Sequence, residues 1–292
     1  MGVKMSNEQI EQQSNPLKKY YRQPKQFVKL PSNYRFYTEG SISVPESREV
    51  AVYPMTAKDE MMFKTPDALL NGQATVDVIQ SCIPAIKDAW QMPSIDCDAA
   101  LMSIRMATYG TKMTVPITVP KTKIEKDLEL DLQTSLGGIL AAEYKDTFLW
   151  ENMEIKTKPL SYAEFTKSAL KSFEQARLQA TVVDTKLSDE EKIAQFNVSF
   201  QKLTQLNVDM VVQTIESIRV DGQTVTDKKQ IKEFVDNTSK EFFSAIMEHL
   251  EENRKRFQLA PQKVTSTEEE VKQGAPETYE VPIAFDSSNF FA

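Results

Sequence analysis

Between residues 112 and 132 the chain alternates with a period of two, and that pattern fixes a β hairpin in a sequence otherwise patterned for helices. Met113, Val115, Ile117 and Val119 alternate with Lys112, Thr114, Pro116 and Thr118. Ile124, Leu128, Leu130 and Leu132 then alternate with Lys123, Glu125, Asp127, Glu129 and Asp131. Successive strand side chains point to opposite faces, so both runs read as half-buried strands. Pro120-Lys121-Thr122 is the turn between them.

The hairpin, residues 111–135, separates two helical regions. Residues 1–29 read as a basic–aromatic arm. Residues 30–110 read as a short β hairpin plus a helical module. Its strand-like pieces are residues 41–44 and 49–53, around Pro45-Glu46-Ser47. Thr56 can cap a helix at Ala57–Phe63. Thr65-Pro66 marks a second start and Asn71-Gly72 its end. Helices are also expected at Gln73–Cys82 and at residues 95–108. The latter sets Ala99, Met102, Met106 and Tyr109 on one face, with Gly110 as the stop.

Residues 136–262 read as a helical domain. Ser161 with Glu164, and Ser188 with Glu191, are capping boxes. Phe165, Ala169, Phe173 and Ala176 mark the expected inner face of one long helix. Ile193, Phe196, Phe200 and Leu203 mark that of the next. Helical pattern continues over residues 208–218 to a break at Asp221-Gly222. Thr226 can cap a further helix, and Phe242, Phe243, Ile246, Met247 and Leu250 have helical spacing in the last one. Residues 263–274 are polar, with Glu268, Glu269 and Glu270 in a row, and read as an acidic linker. Residues 275–292 read as a C-terminal strand and tail. The expected fold is α+β and predominantly helical. It has a small N-terminal β hairpin, two helical regions, and a small β unit built from the 111–135 hairpin and the C-terminal strand.

Composition narrows the chemistry. The chain has one histidine, His249, although most acid–base, triad and zinc chemistry uses histidine. Its place among Met247, Glu248, Leu250 and Glu251 reads as a solvated or half-packed helix residue. The eight glycines form no GxGxxG or GxxxxGK[ST] order, and no GxSxG elbow occurs. Cys82 and Cys97 read as reduced, half-buried thiols and not as a disulfide scaffold. The first 13 residues lack the apolar run of a signal peptide, and no stretch approaches a membrane span, so synthesis in the cytoplasm is expected. No cofactor and no metal are expected.

Two turns repeat a pattern. Val119-Pro120-Lys121-Thr122 and Ala275-Pro276-Glu277-Thr278 each place a small or apolar residue, a proline, a charge and a threonine before an alternating strand. The spacing is that of a Cys-Pro-x-Cys zinc knuckle without its thiols, so Val119, Thr122, Ala275 and Thr278 cannot hold zinc. The turns are expected to face each other and tie the C-terminus to the middle of the chain; a coincidence of two proline turns is the alternative.

Binding candidates lie near the ends. Lys18, Lys19, Tyr20, Tyr21 and Arg22 fall in a stretch from Gln12 to Thr38 with no acidic residue. Such a segment could grip nucleic acid, wrap a protein partner, or dock on the chain's own acidic body. The net charge of −7 disfavours the first. Phe290 and Phe291 could hook a partner or fold back. Arg105 is expected to pair with Asp96 or Asp98.

A resemblance enters through Leu30-Pro31-Ser32, Phe36-Tyr37, the run Pro54-Met55-Thr56-Ala57-Lys58-Asp59-Glu60, then Pro66-Asp67-Ala68-Leu69-Leu70-Asn71-Gly72, Cys82-Ile83-Pro84 and Ile104-Arg105-Met106-Ala107-Thr108-Tyr109-Gly110. In order and spacing these resemble the baseplate protein family of contractile-tailed, T-even-like phages. A weaker likeness runs through Pro159-Leu160-Ser161-Tyr162, Asp221-Gly222, the last long helix and Phe290-Phe291. The resemblance implies a non-enzymatic hub subunit or tail-assembly chaperone. Its partners would be other tail or baseplate proteins, such as a tape-measure protein or a hub subunit, and its place the host cytoplasm during assembly or the virion baseplate. It also implies that relatives carry Cys-Pro-x-Cys pairs where this chain has its two cysteine-free turns. A nucleic-acid binder acting through the arm is the alternative, and a hub-associated glycan hydrolase, needing two placed carboxylates, a second one.

Overall fold

The computed structural model describes residues 16–64, 72–184 and 188–283. The helix start expected at Thr65-Pro66 and the terminal Phe290 and Phe291 lie outside these residues.

The first core gathers around one central helix. Strand β1 (Gln26–Val28) pairs antiparallel with β2 (Val50–Val52). Helices α1 (Ala57–Phe63), α2 (Gln73–Cys82) and α3 (Ser94–Tyr109) follow. From Ile95 to Met106 nearly every α3 residue is buried, Asp96 and Ser103 included. A helix buried all round needs cover on every side, so α3 is not the one-faced helix its sequence pattern implies. Strand β2 does not pair with residues 41–44. Its partner comes from the arm, because Val28, Val50 and Val52 can bury together there. Of the 41–44 piece, Ile42 makes a single bridge, to Ile86.

Strands β3 (Lys112–Thr118) and β4 (Glu125–Asp131) form the hairpin, with Met113 opposite Leu130 and Val115 opposite Leu128. Asp131 closes it and caps α4 (Leu132–Leu140), its side chain accepting from Gln133 N.

Residues 136–262 are not purely helical. Strands β5 (Thr147–Trp150), β6 (Met153–Thr157), β7 (Ile215–Val220) and β8 (Gln223–Val225) make a four-stranded antiparallel sheet in that order. Two-residue turns close it at Glu151-Asn152 and Asp221-Gly222; φ is +50° at Glu151 and +49° and +77° at Asp221 and Gly222. Helices α5 (Tyr162–Asp184) and α6 (Asp189–Thr214) form a long excursion between β6 and β7. Helices α7 (Lys228–Asn237) and α8 (Lys240–Arg256) cover the sheet, with Ile155, Val211, Ile215, Ile231, Phe242 and Ile246 at its core.

The expected acidic linker is folded. β9 (Gln262–Thr265) pairs with β10 (Thr278–Val281), and α9 (Glu268–Lys272) lies between them behind a Thr267–Glu270 capping box. Two of the three glutamates stay in solvent, while Glu270 is buried because its carboxylate has partners.

Candidate functional site

The arm docks through its arginine. Arg22 Nη1 donates to Pro54 O (2.6 Å) and to Asp59 Oδ2 (3.1 Å), and Nη2 donates to Ser81 O (2.7 Å) and Ser81 Oγ (2.8 Å). Asp59 is buried and also caps α1 through Thr56. Beside it, burial and the Asp59 charge push the Cys82 thiol up to about 12, so it stays protonated and unreactive. Arg22 is therefore an internal anchor and not a free partner contact. Before it, the 3₁₀ turn Pro16–Tyr20 is exposed throughout, with Lys18 and Lys19 beside Tyr20 and Tyr21, which are 74% and 55% exposed. At Arg22 the arm packs on the chain's own body, through Pro54, Asp59 and Ser81. The residues before Arg22, Pro16–Tyr20, are exposed.

A second surface was read from the sequence as core. Phe165, Phe173, Ile193, Phe196 and Phe200 are 43%, 59%, 62%, 53% and 60% exposed. Leu203 is half-buried, and Ala176's side chain lies outside what the structure describes. The reason is topological. Helices α5 and α6 pack on each other, with only residues 185–188 between them, and among the described residues no third element covers their outer stripes. The Phe165–Phe173 stripe lines an open hollow with Tyr162, Thr166 and Gly72.

Asp96 does not meet Arg105. Its Oδ1 accepts from Ser32 N (2.7 Å) and its Oδ2 from Ser32 Oγ (2.5 Å). Complete burial still raises its carboxyl to about 7. Asp98, half-buried, is pushed up by desolvation to about 6. Arg105 instead lies over the Tyr109 ring, 5.3 Å from its centroid, and forms no ion pair with either aspartate. Pairing would bring a guanidinium into the desolvated heart of α3, where Ser32 already satisfies the carboxyl. The Ser32–Asp96 bonds hold a tight loop in which Asn33, Tyr34 and Phe36 all have positive φ.

The two knuckle-like turns contribute to one core. Val119 and Ala275 are buried with Ile117, Val264 and Tyr279. The β3–β4 and β9–β10 pairs remain separate sheets joined by side chains. Thr122 Oγ1 donates to Val119 O (2.9 Å), Pro120 sits within that turn, and Ser266 Oγ donates to Pro276 O (2.6 Å). Thr278 pairs with Thr265. Lys126, on the apolar face of β4, donates to Glu270 at 2.8 Å, which explains the buried glutamate. Glu270's carboxyl is held low by Lys126 and by Thr267.

His249 stacks near Phe148, with ring centroids 5.3 Å apart, and its Nε2 lies 3.2 Å from Asn253 Nδ2. Burial lowers its pKa. Asn253 spends its amide on both backbone groups of Lys145, at 2.9 and 2.8 Å. This is packing that pins α8 to β5. Among the described residues no three His, Cys, Asp or Glu side chains converge on a metal position, and no helix is long and apolar enough to cross a membrane.

Exposed aromatic side chains thus lie on the anchored arm and on the α5–α6 hairpin, and aromatic residues are the type that anchors protein contacts. A family model described as T4 bacteriophage base plate protein matches residues 24–274, and the chain belongs to that family. No curated protein and no solved structure is significantly similar to it.

Proposed function

We propose that this chain acts without catalysis, as a baseplate hub subunit or tail-assembly chaperone that binds other tail proteins. Membership of the baseplate family supports the tail setting. The observation that carries the mode of action is the arm. Arg22 fixes it to Asp59 and Ser81, while Tyr20 and Tyr21 stand in solvent beside Lys18 and Lys19. Preorganised, exposed tyrosines bury much area at low entropic cost, which suits an interface anchor. An acidic chain with a short basic turn suits a protein partner better than a nucleic acid.

Mass spectrometry of purified particles beside the infected-cell lysate tests the role. Stoichiometric presence in both identifies a virion subunit. Presence in the lysate alone identifies a chaperone. Measurable turnover of peptidoglycan by the purified protein would overturn the non-catalytic reading.

A further inference from the structure

We propose that the outward face of residues 16–29 is a docking strip for an extended, acidic segment of another tail protein, one that carries carboxylates four residues apart with an apolar side chain between them. This rests on the function proposed above and names the chemistry of the partner that the arm takes.

The first observation is geometry. From Tyr21 to Leu30 burial alternates with a period of two. Tyr21, Gln23, Lys25, Phe27 and Lys29 are exposed, Phe27 by 61%. The residues between them hold the strip to the body. Arg22 binds Asp59 and Ser81, Gln26 Nε2 donates to Ser103 O, and Val28 and Leu30 are buried in the first core. Lys25 N donates to Val52 O (2.9 Å), and Gln26–Val28 continue as β1. A chain held at alternate residues presents the others in one row. Its outward side chains are about 6.6 Å apart, and Lys25 and Lys29 flank Phe27 at about 13 Å from each other. The row begins beside the exposed Lys18, Lys19 and Tyr20.

The second observation is charge. The chain holds 42 acidic residues against 35 lysines and arginines. Lysines elsewhere find carboxylates: Lys112 meets Glu129 at 2.7 Å, Lys126 meets Glu270 at 2.8 Å and Lys232 meets Asp209 at 3.2 Å. Among the described residues, Lys18, Lys19, Lys25 and Lys29 form no ion pair. Glu49, which follows opposite Lys29 as the β1–β2 register runs on, forms none with it. Four like charges along one strip raise a positive potential that a negatively charged partner relieves.

Charge and spacing together select the occupant. An extended segment presents alternate side chains at the same step as the strip. Carboxylates four residues apart then meet Lys25 and Lys29, while the side chain between them lies on Phe27. Exposed aromatics give such a contact its anchor. A nucleic acid fits less well. Bidentate phosphate recognition falls to arginine, and the arginines here are used inside the chain: Arg22 on Asp59, Arg35 on Asp146 at 2.6 Å, and Arg48 on Asn33 O at 3.0 Å. A long polyanion is also repelled by a chain of net charge −7, whereas a short acidic segment needs only the strip.

Fluorescence anisotropy with the full chain tests this, using a labelled peptide of about nine residues that repeats Glu-Ser-Leu-Ser, the length and spacing of the strip. Wild type should bind it, and raising sodium chloride from about 50 to about 300 mM should weaken binding at least about fivefold as the charges are screened. Lys25→Glu/Lys29→Glu should weaken it at least about tenfold. The same variant should instead bind the Lys-Ser-Leu-Ser counterpart, a gain that misfolding could not produce. Lys167→Glu/Lys171→Glu, the same change of net charge at exposed sites on α5, should leave the affinity unchanged. No binding by wild type, equal losses from the two double variants, or tighter binding of an oligothymidylate of the same length would overturn the proposal. Tail counts separate it from the proposed function. Lost tails from Tyr20→Ser/Tyr21→Ser with wild-type numbers from Lys25→Glu/Lys29→Glu overturn this inference alone, while wild-type numbers from both overturn the arm reading and this inference with it.

Discussion

Two buried carboxylates organise the first core, and each is handled differently. Asp59 is ion-paired with Arg22 at 3.1 Å, so removing the guanidinium leaves a buried carboxylate without its partner. Arg22→Ala should cost about 3–5 kcal/mol in urea unfolding and release the arm to protease. Asp96 has no cation, and burial lifts it from 3.8 to about 7. A raised folded-state pKa means that the native state holds the extra proton. Its stabilisation is complete below about pH 4 and is lost as pH rises through about 7. Asp98, raised to about 6, acts in the same direction. Stability measured by urea unfolding should therefore fall between about pH 4 and pH 7, and Asp96→Asn should flatten most of that fall. An unchanged slope would mean that Asp96 is not the titrating group. Neither arrangement was legible in sequence. Asp59 showed only as one residue of the Pro54–Glu60 run, and Ser32 lies 64 residues from Asp96.

At the scale of elements, what could be read depended on whether local spacing matched tertiary environment. The 112–132 hairpin and both long-helix capping boxes were legible because each is a local pattern with one physical cause. The four-stranded sheet was not. Helix α6 gives way to β7 with no breaker between Thr214 and Ile215, and the buried Ile215 and Ile218 lie three residues apart, mimicking a helical stripe. Asp221-Gly222, read as a helix stop, is a two-residue hairpin turn, the signal that should have revealed two strands. In the same way Thr267-x-x-Glu270 is a capping box hidden in an acidic run. The joint between α6 and the sheet is closed by Lys228, whose Nζ donates to Val212 O, Gln213 O and Ile215 O. Burial lowers its pKa. Lys228→Met should leave those carbonyls unmet, cost about 1–3 kcal/mol, and speed amide exchange over the last turn of α6.

The whole molecule combines a core around α3, a sheet unit covered by α7 and α8, and a small β unit tying the C-terminal strand to the middle of the chain. In the proposed function its surfaces do the work. The aromatic stripes of α5 and α6 had the spacing of core, and sequence cannot say whether the chain itself or another molecule completes a core. The arm's composition was legible, but the split at Arg22 between anchored and exposed halves needed the fold. The most direct test of the account replaces both exposed tyrosines. A phage lacking this protein is complemented with wild type or with the Tyr20→Ser/Tyr21→Ser variant, and complete tails are counted by electron microscopy. The variant should fold as wild type, since both side chains are exposed, yet yield at least about tenfold fewer complete tails, the loss expected when an interface anchor is removed. Wild-type numbers of complete tails from the variant would contradict the account.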